Sequence, residues 1–456
     1  MKPAGTQRNR RLEAAINATG LPYTAVAALT RTVAAENGEV LRTNSAAVTH
    51  WVRGVPPKPR TAHYLAEALT RACRRVITTT DLGLGSPQDV PAVTGDSVTD
   101  LANLGRLDVD RRGFLTTIFS LPMAAALPVP ALSGRAQAAA RRGSIGRAEV
   151  ATVRDMVATF TRADERLGGG AGRTPLAEYL ATDATTYLRG RFANSTIRAD
   201  MYGAVAELAR LAGFKAHDAG REGLAQRYYL HAWQLARESD PAHAAFVLRL
   251  IAHQAIDLGH GRHCVHLAEA ARTAGGGRVD SATLGQLNLA LARTHAAAGD
   301  HRAARAALTQ AEHCINVHTP DSKRPWWALA MGAPQPLLTT HTAKTLRTLG
   351  DSAVEQHLHE SVRRWNADTH PRVRALQLCD LGNYHAEQGQ LELACHAWTE
   401  ALHLLDGVDS ARARTAVSSV RNALSPFRRR NISEATHLDT MAAHWQRGVT
   451  FTVGGP

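Results

Sequence analysis

Five glycines set the frame of this chain. Gly220, Gly259, Gly299, Gly350 and Gly389 each close one apolar helical segment and open another. They recur about every 40 residues, with one longer gap, which is the period of stacked helix hairpins. A pair of short helices cannot bury its apolar face alone, so each hairpin must stack on its neighbours, and the pattern predicts an α-solenoid. Composition agrees: hydrophobic residues make up 44% of the 456. Ala, Leu and Arg, which lose little on entering a helix, recur throughout, while the β-branched and aromatic runs of strands are scarce. The expected fold class is all-α.

Charge is distributed unevenly. The formal net charge is +13, and residues 1–75 hold 12 Lys and Arg against 4 Asp and Glu. Residues 76–150 hold 7 of each, and the rest of the chain 34 basic and 29 acidic side chains. Cationic charge concentrated at one end is what a phosphate-binding module requires, whereas a merely soluble surface spreads it.

That same end reads as a compact helical unit. Apolar residues at helical spacing predict helices from about 9 to 17 (Leu12, Ala15 and Ile16 inward), 23 to 35 (Val26, Leu29 and Val33) and 61 to 75 (Leu65, Ala68 and Leu69). Between the last two lies a helix from Asn44 to Val52, with Val48, Trp51 and Val52 placed for a core. Its N-terminal end is small and polar, as a helix entering the major groove needs: small residues let the backbone approach and polar ones read base edges. Arg53 stands where it reaches a guanine or a phosphate; Lys58 and Arg60 suit phosphate contacts that position without specifying sequence.

The pattern Ser45, Thr49, Trp51, Gly54 and Pro57 resembles the repressor-type (xenobiotic-response-element, XRE) helix-turn-helix family over residues 9–75. The resemblance implies a DNA-facing set of Ser45, Thr49, His50 and Arg53, with Trp51 in the core. Together with Thr43, Asn44, Lys58 and Arg60 these are the candidate DNA-binding residues. The stretch from Thr32 to Arg42 is longer than the tight turn usual in that family.

The later repeats are similar to tetratricopeptide repeats over residues 197–407. The small and large residues fall in step at Leu381, Gly382, Gly389, Ala394, Trp398 and Ala401. They do so again at Gly213, Gly220, Ala225, Tyr229 and Ala232, at Ala252, Gly259, Cys264, Ala268 and Ala271, and at Ala292, Gly299, Ala304, Leu308 and Ala311; the unit around Gly350 is degenerate. The whole layout resembles actinobacterial regulators related to peptide sensors, whose concave repeat surface binds a peptide or a protein. By that likeness Arg249, His253, Asn288 and Asn383, on expected inner helices, are candidate contacts for a peptide, small-molecule or protein effector; ordinary solvated or capping roles compete. Reading a near-palindromic site on double-stranded DNA would call for a homodimer. A protein-interaction scaffold with a weak or residual DNA-binding module is the alternative.

Other signals point to exclusions. Cys73, Cys264, Cys314, Cys379 and Cys395 lack paired spacing, as expected of reduced thiols in a cytoplasmic protein. His260, His263 and His266 cluster near Cys264, but Cys264 falls at a packed position, so neither a metal nor a cofactor is expected. No nucleophile elbow, phosphate-binding loop or zinc-protease motif occurs, and the chain is not expected to be an enzyme. Gly168-Gly169-Gly170 reads as a hinge, and Trp326-Trp327 as a packing patch or anchor. Asp110-Arg111-Arg112-Gly113-Phe114-Leu115, with the apolar run to Leu132, resembles a twin-arginine signal. Its internal position and Pro122, Pro128 and Pro130 make it instead an inter-domain segment packed on the repeats, with no membrane partner. The expected division is 1–78 (helix-turn-helix), 79–147 (linker), 148–196 (helical cap or connector), 197–430 (repeats) and 431–456 (tail).

Overall fold

The computed structural model describes residues 8–36, 39–73, 77–84, 96–109, 144–318, 324–329 and 332–447. These residues are predominantly helical; two-residue strands β1 (Ser144–Ile145) and β2 (Arg191–Phe192) pair in parallel. The chain groups into two units, one of residues 1–153, 174–213 and 220–274, the other of 154–173, 214–219 and 275–456.

The first unit begins with α1 (Arg10–Thr19), α2 (Tyr23–Glu36), α3 (Ser45–Val52) and α4 (Pro59–Cys73). Leu12, Ile16, Val26, Val48, Trp51, Val52, Leu65 and Leu69 close one apolar core, and Val33, Ala34, Tyr64 and Ala68 a smaller one beside it. Asn9 caps α1, accepting from the Leu12 amide at 3.0 Å, while its Nδ2 donates to the Leu82 carbonyl at 2.9 Å. One side chain thus satisfies an orphan helix amide and holds the loop that follows the bundle.

Residues 79–147 are not wholly a linker. Within them α5 (Ser97–Val109), followed in the chain by α6 (Arg147–Leu167), packs against α7 (Arg173–Tyr179) and the π-helical turn Leu180–Ala184 that leads into α8 (Thr185–Leu188). A Cβ on Gly105 would lie 2.7 Å from the Ala177 carbonyl, so the helices meet where only glycine fits. The buried Asp108 carboxylate accepts from the Tyr228 hydroxyl at 3.1 Å. The Arg-Arg-Gly-Phe-Leu segment and its apolar continuation lie outside the described residues. The unit is completed by α9 (Ser195–Asp218, as far as Gly213), α10 (Glu222–Ser239), α11 (Pro241–Asp257), a 3-10 turn (Gly261–Cys264) and α12 (Val265–Gly275).

In the second unit helices come in consecutive pairs: α13 (Ser281–Ala298) with α14 (His301–Asn316), α16 (Pro334–Leu349) with α17 (Val354–Arg364), α18 (Pro371–Glu387) with α19 (Leu391–Leu404), and α20 (Ala411–Arg429) with α21 (Ser433–Gln446). A four-residue helix, α15 (Trp326–Leu329), stands between the first two pairs. Successive pairs pack on one another, α13 on α16, α18 on α20 and α19 on α21, over one continuous core. The pair flanking Gly350, degenerate in sequence, has the same form as its neighbours. Residues 433–446, expected as tail, are a helix that buries Ala435, Leu438 and Ala442 in that core.

Close crossings inside the pairs explain the alternation of small and large residues. A Cβ on Gly382 would lie 2.5 Å from Trp398 Nε1, and one on Gly285 2.5 Å from Ile315 Cγ1. In the first unit, Gly213 stands in the same way against Tyr229, at 2.6 Å. The small residue admits the bulky one, whose burial then holds the crossing.

Gly168-Gly169-Gly170 is not a hinge. The Gly169 amide donates to Asp218 Oδ2 at 2.8 Å, the Gly170 amide to the Asp409 carbonyl at 3.1 Å, and the Asp409 amide to the Leu167 carbonyl at 2.9 Å. A Cβ on Gly169 would meet the Lys215 carbonyl at 2.6 Å. The run is glycine because backbone must touch backbone. Beside it, Arg372 bridges Asp164 at 2.9 Å and Asp218 at 2.6 Å, and Lys215 Nζ lies 3.4 Å from Asp164, all four side chains being buried. Two cations meet two carboxylates, so the buried charge balances.

Candidate nucleic-acid interface

Helix α3 divides into two faces. Val48, Trp51 and Val52 are buried against α1, α2 and α4, while Asn44, Ala46, His50 and Arg53 are exposed and Ser45 and Thr49 half-buried. The exposed set needs no core contact, so these positions are open to an external partner. Asn44 caps the helix, its Oδ1 accepting from the Ala47 amide at 3.0 Å. Thr49 Oγ1 donates to the Ser45 carbonyl at 2.9 Å, which uses its proton and leaves the oxygen able only to accept. Arg53 forms the C-cap, with its side chain in solvent.

Thr43 is placed differently from its sequence reading. It is only 9% exposed, and its carbonyl accepts from Arg31 at 2.5 Å, so it fixes the approach to α3 and presents little surface. Arg60 bridges Glu39 at 2.5 Å, pinning the long α2–α3 connection to the start of α4; Lys58 beside it is exposed. Arg8, Arg10, Arg11, Arg31 and Arg42 are exposed as well, and the sequence reading singled out none of them. Val40, in that connection, is 93% exposed.

The back of the bundle is anchored. Glu67 of α4 is buried, with Oε1 2.6 Å from His260 Nε2 and 3.0 Å from Arg71 Nε. Burial alone would raise its pKa, but the hydrogen bonds and charges of His260 and Arg71 outweigh that and hold it below the ordinary carboxylate value. His260 is thus committed to Glu67, while His263 is half-buried and His266 exposed. Burial pushes the Cys264 thiol up to about 12, so it stays protonated and unreactive at neutral pH.

The four candidate effector contacts fall in different units. Arg249 and His253 lie one turn apart on α11 in the first; Arg249 is buried with its guanidinium 4.5 Å from the Phe246 ring centre. Asn288 and Asn383 lie in the second: Asn288 is buried, its Nδ2 3.9 Å from Cys314 Sγ, and Asn383 is half-buried. Trp326 takes the Arg154 guanidinium 4.5 Å above its ring and Trp327 is buried, so this pair packs within the second unit. Among the described residues no helix is long and apolar enough to cross a membrane.

Residues 12–85 match a family described as the SP15 N-terminal domain, a stretch that covers the four-helix bundle and stops well short of half the chain. No curated protein matches. Among solved structures the chain is similar to a circular tandem repeat protein with novel repeat topology and enhanced subunit contact surfaces, at 16% identity over 96% of each chain. The TM-score is 0.19, a level at which the likeness carries no argument.

Proposed function

We propose that this chain is a sequence-specific DNA-binding transcriptional regulator, with residues 10–73 a repressor-type helix-turn-helix reader and the helix pairs a tetratricopeptide-like solenoid. The observation that carries the reading is α3: an eight-residue helix, buried by Val48, Trp51 and Val52, with Asn44, Ala46, His50 and Arg53 outward in the most basic part of the chain. A helix with small and polar residues outward, flanked by exposed arginines, fits the major groove and the phosphates beside it. Ser45, Thr49, His50 and Arg53 read base edges, with Lys58 on the backbone and Arg60, already bridged to Glu39, adding charge beside it. The solenoid supplies dimerisation, an effector surface or both. The glycine-to-aromatic crossings at Gly213–Tyr229 and Gly382–Trp398 support that part of the reading, because they repeat one packing rule in separate hairpins.

The test is affinity selection of fragmented source-genome DNA on the purified full chain at near-physiological salt, with Arg53→Ala in parallel. Enrichment of a few fragments that share a motif, lost in the variant, is the expected outcome. Motif-free retention that disappears with modest salt would overturn the reading, since it reports only counter-ion release.

A further inference from the structure

We infer that the second unit carries a divalent transition-metal site of the zinc class, built by Glu355, His359 and His385. One ligand atom from each lies within 4.8 Å of the other two. Glu355 and His359 stand four apart on α17, one turn of helix, so their side chains leave the same face and converge. His385 arrives from the end of α18, and its ring centre lies 5.6 Å from that of His359.

The third residue is also oriented. Gly389, with φ +77, turns the chain back after α18, and Gln390 at the start of the next helix then faces His385. His385 Nδ1 lies 2.6 Å from Gln390 Oε1. An amide oxygen only accepts, so Nδ1 carries the proton and Nε2 keeps its lone pair. A ligating imidazole is fixed in this way, by a hydrogen bond on its other nitrogen. His385 is buried, Glu355 half-buried and His359 exposed, so the group runs from the core to the surface and an ion enters from the His359 side.

Two imidazoles and one carboxylate favour zinc over magnesium or calcium, which prefer oxygen alone. Ligands about 2.0–2.1 Å from a shared tetrahedral ion stand roughly 3.4 Å from one another. The ligand atoms stand within 4.8 Å, and His359, being exposed, has room to turn toward the ion. Three protein ligands leave a fourth position for water or an external donor. Bound there, the ion would tie α17 to α18.

The experiment is a titration of Zn(II) alone into metal-free full-length protein, by calorimetry in a non-coordinating buffer and by competition with a chromophoric chelator. The expected result is one equivalent of micromolar or tighter affinity. His359→Ala and His385→Ala should each weaken it at least about tenfold. Gln390→Ala, which removes no ligand, should weaken it by roughly the same factor, and His357→Ala on the same helix should leave it unchanged. Co(II) should give a visible d–d spectrum that the ligand variants lose. His359 is exposed, so its variant keeps the fold and the test stands even where His385→Ala does not fold. Absence of a tight equivalent, or one that survives His359→Ala, would overturn the site.

Discussion

In the N-terminal bundle Arg8, Arg10, Arg11, Arg31, Arg42 and Arg53 are exposed; in the second unit Arg372 lies buried between Asp164 and Asp218, with Lys215 beside Asp164. Both regions are rich in basic residues, yet the charge serves different ends. A buried cation with two carboxylates has its partners inside the chain and fixes how distant segments meet. The exposed arginines surround an apolar core made without them; Arg31 still ties down the Thr43 carbonyl and Arg8 pairs with Glu13, while the field of the group is directed outward. The first unit uses the internal kind as well: the buried Glu207 meets Arg210 at 2.6 Å and His243 at 2.8 Å, and Glu67 meets His260. Exposure and partners, more than charge count, separate the two kinds of basic residue here.

The largest expected effect breaks the internal kind. Arg372→Ala removes the ion-pair partner that buried Asp164 and Asp218 share, leaving Lys215 beside Asp164 and Arg412 near Asp218, and should destabilise the second unit by about 3–5 kcal/mol in denaturant unfolding followed by circular dichroism. A loss below about 1 kcal/mol would mean that water reaches the carboxylates and that the node is not a clamp.

A pH series sharpens the contrast in the first unit. Burial pulls the His231 pKa down from its ordinary 6.5 to about 4, so the folded state holds it neutral. Below pH 6.5 the unfolded chain binds a proton that the folded chain refuses. Stability is therefore full above pH 6.5 and is lost as pH falls toward 4, by up to about 3 kcal/mol. His231→Gln should flatten that part of the stability–pH curve; an unchanged slope would place the titration elsewhere. A smaller effect is expected from crowding a helix crossing: Gly382→Ala forces a methyl against Trp398 and should lower stability by about 1–3 kcal/mol. Smallest of all, Arg53→Ala and Lys58→Ala, both exposed, should change stability by less than about 0.5 kcal/mol.

Several of these features were readable in the sequence, and the reasons differ. The buried side of α3 was legible because Val48, Trp51 and Val52 repeat at helical spacing. Five helix-pair turns were legible because glycine marks them: each of the five sits at φ between +69 and +82. The sixth turn, between α20 and α21, was not, because Asn431 takes the left-handed conformation there, at φ 58. That unmarked turn is why residues 433–446 read as a tail. Helix α5 was hidden because it sits in a stretch without clear apolar periodicity, and its Gly105 serves a close crossing. The glycine run read as a hinge because its partners, Asp218 and Asp409, are remote in sequence. Likewise nothing local joins Glu67 to His260, 193 positions later, or His359 to His385. Sequence periodicity reports which face is buried; it does not report what the buried polar groups meet.

DNA reading by α3 is tested by an anisotropy titration of a selected DNA site and a scrambled duplex, at several salt concentrations, with the wild-type chain, Arg53→Ala and Lys58→Ala. Arg53→Ala should lower affinity for the site by about 1–3 kcal/mol and narrow the ratio of site to scrambled binding. Lys58→Ala should weaken both duplexes alike and reduce the salt slope by about one. Equal affinity of the wild-type chain for both duplexes, or an Arg53→Ala variant with an unchanged ratio, would contradict it.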